Sequence, residues 1–89
     1  SNIPVEFDLA HPNPFNPTTS INYTVNKPSD IKVAIYDITG RLIEVIENGH
    51  KGIGDHSLTW DAANHSSGVY YIQIQNNNNV DTQKVVLLK

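Results

Sequence analysis

The stretch DIKVAIYDITGRLIEVIE, residues 30–47, decides the fold class. Its first half sets Ile31, Val33 and Ile35 against Lys32, Ala34 and Tyr36. A period of two with apolar matter on both faces is the pattern of a central strand. Thr39-Gly40 follows, and Gly40 can take the positive φ of a tight hairpin. The second half, RLIEVIE (41–47), is the only segment that can be argued as helix; it is too short for one, and its Ile and Val favour a strand. The stretch reads as a hairpin, the strongest local pairing in the chain.

The same alternation recurs on both sides of it. VEFDLA (5–10) places Val5, Phe7 and Leu9 against Glu6 and Asp8, a half-buried first strand, and TSINYTV (19–25) puts Ile21, Tyr23 and Val25 on one face. NKPSD (26–30) supplies a turn, through the fixed φ of Pro28 and the side chains of Ser29 and Asp30. NGHKGIGD (48–55) holds three glycines and reads as a loop. HSLTW (56–60) alternates again, DAANHSSG (61–68) is a polar loop, and VYYIQIQ (69–75) is β-branched and aromatic. NNNN (76–79) reads as the tip of a last hairpin into VDTQKVVLLK (80–89). About seven short strands separated by turn chemistry predict an all-β chain, an immunoglobulin-like antiparallel β-sandwich. Trp60, Tyr23 and Tyr71 fall on the apolar face and are expected in the core, which leaves Tyr36 and Tyr70 as surface aromatics.

Eighty-nine residues make one domain, 1–89. With no cysteine the chain closes by packing alone. Six Lys and Arg against nine Asp and Glu, scattered rather than grouped, exclude the cationic cluster that duplex nucleic acid requires. No apolar run reaches the roughly 20 residues that cross a bilayer as a helix. The opening SNIPVEFDLA lacks the basic-then-apolar order of a secretory signal and begins as a fragment of something longer would.

Chemistry has little foothold. His11 sits beside Pro12, His50 and His65 lie in segments read as loops, and His56 starts a strand, so a zinc site from His50, His56 and His65 would need a convergence that spacing does not imply. Asp55, Asp61 and Asp81 sit at loop edges, where capping of backbone donors is the simpler reading than calcium binding. Asp55, His56 and Ser57 are neighbours on one strand and point to opposite faces, which rules out a triad. Neither catalysis, nor a metal, nor a cofactor is expected.

Four segments in order resemble a known family: HPNPFNPTTSINYTV, VAIYDITGRLIEVI, LTWDAANHSSGVYYIQI and the terminal QKVVLLK. They are similar to the motifs of the type A C-terminal sorting domain of the type IX secretion system, found on secreted proteins of Bacteroidetes-like bacteria. His11 stands where that family usually has an aromatic residue. The resemblance implies that 1–89 ends a larger secreted protein, without activity of its own. It also implies that the domain directs an N-terminally linked cargo from the periplasm across the outer membrane to the surface or the medium. Its implied partners are the outer-membrane translocon and a sorting peptidase that removes the domain, and a monomer is expected.

The resemblance further implies that the translocon reads the last strand and tail, carried here by Lys84, Val85, Val86, Leu87, Leu88 and Lys89. The opening motif Pro12, Asn13, Pro14, Phe15, Asn16, Pro17 and Thr18 is expected to act as a clamp. Its prolines preset φ, Phe15 plugs one end of the sandwich, and Asn13 and Asn16 bond neighbouring backbone. Gly68, Val69 and Tyr70 form a second motif, in which Gly68 turns the chain into a strand with positive φ. Direct contact between translocon proteins and these motifs is the alternative to a structural role. Two other functions stay open: an accessory polysaccharide-binding module, and a structural spacer.

Overall fold

Seven runs of alternating β-branched and aromatic residues become seven strands in the computed structural model, which describes residues 3–77 and 79–89. They are β1 (Val5–Phe7), β2 (Thr18–Val25), β3 (Ser29–Asp37), β4 (Leu42–Lys51), β5 (Gly54–Asp61), β6 (Gly68–Asn76) and β7 (Asn79–Leu87). One antiparallel sheet has the order β1-β2-β5 and the other β4-β3-β6-β7. The inward faces meet in one core containing Ile21, Tyr23, Val25, Val33, Ile35, Trp60, Ile72, Val85 and Leu87, all at most 1 % exposed. The β-sandwich expected from the alternation is therefore present, with β3 in the interior of its sheet as its apolar residues on both faces required.

The decisive hairpin is closed by backbone bonds from Asp37 N to Arg41 O and from Gly40 N to Asp37 O (3.0 Å each) and is fastened by one carboxylate. Asp37 Oδ1 accepts from Thr39 N (2.9 Å), Thr39 Oγ1 (2.6 Å) and Arg41 N (3.0 Å), while Gly40 takes φ +87°. The Thr39 hydroxyl and the Arg41 amide hold the Asp37 carboxyl below the ordinary carboxylate range. β4 then bulges twice against β3, at Ile43 and at Ile46, which are the residues skipped by the register Tyr36↔Leu42, Ile35↔Glu44, Ala34↔Val45, Val33↔Glu47. Both isoleucines pack on the core. Ile43 and Ile46, three residues apart in the one segment that could be argued as helix, are thus the two bulge residues of a strand.

Four expectations are corrected. The segment 48–55 is not a loop: β4 runs to Lys51 and β5 starts at Gly54, because Ser29 to Lys32 of β3 pair with Lys51, His50, Gly49 and Asn48. Accordingly His50 is a strand residue, with Nδ1 3.0 Å from Asp30 Oδ1. Gly54, at φ +139°, follows the short Gly52-Ile53 link by which the chain changes sheets. The first strand is shorter than 5–10: Asp8 N still bonds Asn22 O, but the ladder then breaks, with Leu9 80 % exposed and Ala10 turned inward, until His11 meets Ser20. Lastly, Tyr70 rather than Tyr71 is buried, since it shares the parity of Ile72 and Ile74. The 76–79 tip has Asn77 at φ 50°, and Asn78 lies outside the described residues.

The Tyr23 hydroxyl is buried without a hydrogen-bond partner among the described residues, and burial first, then the nearby Glu47 carboxylate, push its ionisation above the ordinary 10.0. The unfolded chain therefore loses this proton first, so the contribution is full below pH 10.0 and is lost as pH rises through the folded value. Tyr23→Phe removes an unsatisfied hydroxyl and should leave stability unchanged or raise it by about 1 kcal/mol. Urea unfolding at pH 7 and pH 10.5 checks both points, the variant losing less than the parent at the higher pH.

Candidate functional site

The three motif groups singled out in the sequence meet at one end of the sandwich. β6 and β7 pair with the register Gly68↔Leu87, Val69↔Val86 and Tyr70↔Val85, which sets the second motif directly against the tail. Gly68 enters β6 at φ +153°, a region that disfavours any Cβ, and no other atom crowds it. On the other side of β7 lies the proline-rich loop. Asn13 Nδ2 donates to Lys84 O (3.0 Å), and Asn13 Oδ1 accepts from Val86 N (3.0 Å). Phe15 N donates to Val86 O (2.9 Å), and Leu88 N donates to Phe15 O (3.0 Å). One side-chain amide and one backbone unit thereby stand in for a neighbouring strand.

The loop is itself held from several directions. His11 and Ser20 exchange backbone bonds of 3.2 and 2.8 Å, and the buried Thr19 hydroxyl donates to Pro12 O (2.9 Å). Ala62 N donates to Pro17 O (2.9 Å). The His11-Pro12, Asn13-Pro14 and Asn16-Pro17 peptide bonds are cis. Beneath the loop, Phe15 is 2 % exposed, with its ring 5.4 Å from Trp60, which in turn meets Tyr70 edge-on at 5.3 Å. Such aromatic pairs are worth about 0.5–1.5 kcal/mol each beyond the area they bury. The Tyr70 hydroxyl donates to Ser66 O (2.7 Å), so its burial leaves no orphan.

Side by side, the motif residues divide into a buried and an exposed set. Val85 and Leu87 are core residues at 0 % exposure, and Phe15 and Tyr70 are buried with them. Pro12, Asn13, Pro14, Asn16, Pro17, Thr18, Lys84, Leu88 and Lys89 are exposed; Val86, Gly68 and Val69 are half-buried. Among the described residues Asn16 makes no hydrogen bond, and Asn13 bonds a strand 71 positions away rather than neighbouring backbone. The tail is not a loose end either: Lys89 N donates to Ser67 Oγ (3.0 Å) and Lys89 Nζ to Ala63 O (2.6 Å).

Two contributors were not foreseen. Gln83 accepts from Ala10 N (2.8 Å) and donates to Asp8 O, stapling β7 to the chain that follows β1. Glu44 Oε1 accepts from Trp60 Nε1 (3.3 Å) and lies 3.9 Å from His65 Nε2, joining the sheets at the opposite edge. A strand glutamine with apolar neighbours of its own parity, Val85 and Leu87, was the available signal for the first. Among the described residues no three His, Cys, Asp or Glu side chains gather at one point, and no helix is long and apolar enough to cross a membrane. The arrangement offers shape, hydrogen bonds and two lysines.

The class these observations define is an all-β sandwich whose last strand is clasped by the loop that follows its first. The chain matches the family described as the secretion system C-terminal sorting domain over residues 9–88, and it belongs to that family. It is thus a C-terminal sorting domain of type IX secretion, of a kind that is in general non-catalytic and serves secretion to the cell surface or exterior. Among solved structures it is similar to dimeric latent PorU from Porphyromonas gingivalis, with a TM-score of 0.68 and 18 % identity. That match covers 94 % of this chain and 9 % of the PorU chain, and it is a likeness of fold. None of the curated proteins matches the chain.

Asn13→Ala removes both bonds to β7 and leaves Lys84 O and Val86 N without their protein partner. A loss of about 1–2 kcal/mol is expected in urea unfolding. Hydrogen exchange at the Val86 amide should quicken more than at the inner β6 amides, which stay paired with β3.

Proposed function

We propose that the domain is a folded address whose readable surface is the exposed part of the clasped end. Asn13, Pro14 and Asn16 on one side and Lys84, Leu88 and Lys89 on the other are the groups offered to the translocon. The cargo is linked N-terminal to β1, and the sorting peptidase cuts between cargo and domain after passage to the surface. The domain performs no chemistry itself. The observation that carries this reading is the clasp, which brings the 12–18 and 84–89 segments to one place. Membership of the sorting-domain family supports the direction of transport.

The test must separate recognition from folding, because deleting residues 84–89 would also remove the core side chains Val85 and Leu87. A reporter with an N-terminal export signal, fused ahead of residues 1–89, is expressed in a type IX-competent host. It is expected in the medium or on the cell surface. Lys84→Glu combined with Lys89→Glu should trap it in the periplasm while the thermal midpoint of the domain moves by less than about 3 °C. Undiminished delivery by that folded variant would defeat the reading, as would delivery failure of the unaltered fusion.

A further inference from the structure

The edge of the sandwich that carries the clasp is closed along only part of its length. Lys84, Val86 and Leu88 turn their backbone groups outward, where Asn13 and Phe15 meet them. The β6–β7 register is unbroken from Gly68↔Leu87 to Asn76↔Asn79, so Val80 and Thr82 share that outward direction. Among the described residues, no group pairs with the outward N–H and C=O of either. Beside them a groove of about 360 Å³ opens between β1 and the β6–β7 hairpin, walled by Val5, Phe7, Ile74 and Val80. Asn76 lines it, 7 % exposed, with an Nδ2 donor that has no partner among the described residues. Among the described residues that line the groove, Asp81 is the charged one.

We propose that this half-open edge binds an extended basic-apolar peptide segment of another protein, which adds as a strand to β7 across Val80–Thr82. An added strand satisfies the outward backbone groups and sets alternate side chains into the space between the sheets. Apolar side chains there meet Val5, Phe7 and Ile74, a Lys or Arg meets Asp81, and a peptide oxygen accepts from Asn76 Nδ2. Charge decides between occupants. A second copy pairing edge to edge across this short opening would set Asp81 against its own counterpart, which repels, whereas a cationic strand is attracted. The site is independent of the export reading, since it shares none of the surface residues named there.

The probe is a blocked heptapeptide, threonine-valine-threonine-lysine-threonine-valine-threonine, whose two valines and lysine share one face. It is titrated into isotope-labelled residues 1–89 and followed by NMR. Saturable shifts are expected at the Val80 and Thr82 amides and at the Asn76 side-chain amide, with slowed exchange of the two backbone amides. Replacing the peptide lysine by glutamate, which turns attraction into repulsion, should weaken binding about tenfold, and Asp81→Asn in the domain about threefold, the worth of one exposed ion pair. Thr82→Pro deletes one outward N–H without touching the β6–β7 ladder, and should weaken binding at least tenfold in a domain that remains folded. Absence of saturable shifts at these amides, binding that survives both Thr82→Pro and Asp81→Asn, or a concentration-dependent dimer protecting the same amides would each overturn the proposal.

Discussion

The last strand of this sandwich lies at a sheet edge and has β6 on one side only, so its outer backbone groups need partners from elsewhere. Everything at that end depends on how they are found. A neutral amide, Asn13, supplies one donor and one acceptor in the spacing of a strand residue, and the Phe15 backbone supplies the next pair. These four bonds pair the outer edge of β7 along the stretch that carries the fully buried Val85 and Leu87. They also fix the loop that drives Phe15 against Trp60. Edge protection and core formation are one event here, since the loop that covers the strand is the loop that fills the end of the sandwich.

The remaining edges are handled by other means, and the contrast explains why the proline-rich run is where it is. β4 is disrupted by two bulges that aim Ile43 and Ile46 inward and break the regular ladder a foreign strand would follow. β1 is three residues long. β5 carries Asp55 and Asp61, one engaged by the Thr24 hydroxyl and the other by the Ala63 amide. A bulge in β7 would shift the parity that buries Val85 and Leu87 together, so a cover from outside is the solution compatible with its core role.

Legibility from sequence followed the range of the interaction. β3 and the hairpin to β4 are readable because alternation and Gly40 are local signals, although nothing in DITG by itself shows that Asp37 fastens the turn. The extension of β4 through Asn48–Lys51 was not readable, because Gly49 weakens a strand by itself and only pairing with Ser29–Lys32 overrides it. The face of Tyr70 is legible in the parity it shares with Ile72 and Ile74, and the expectation of a buried Tyr71 runs against that period-two signal. The parity that Gln83 shares with Val85 and Leu87 marks it as facing inward but does not say what it bonds, and Asn13 carries no such mark: an amide that bonds backbone more than 70 positions away looks the same in sequence as one that bonds its neighbour. The candidate site was therefore visible as three separate motifs, and their convergence was not.

That convergence gives the proposed address a property no linear tag has. Residues 12–18 and 84–89 lie at opposite ends of the chain, and the surface they share exists only when β7 has paired with β6 and the loop has closed over it. A chain cut short before β7, or one whose core has failed to form, carries at most half of that surface. On this reading the four bonds from Asn13 and Phe15 act as a completion signal, because they report in one place that both ends of the domain have been made and folded. The stability of the clasp then sets how firmly a finished chain displays the whole surface: each 1.4 kcal/mol in the closing equilibrium is about a factor of ten in the ratio of closed to open clasp.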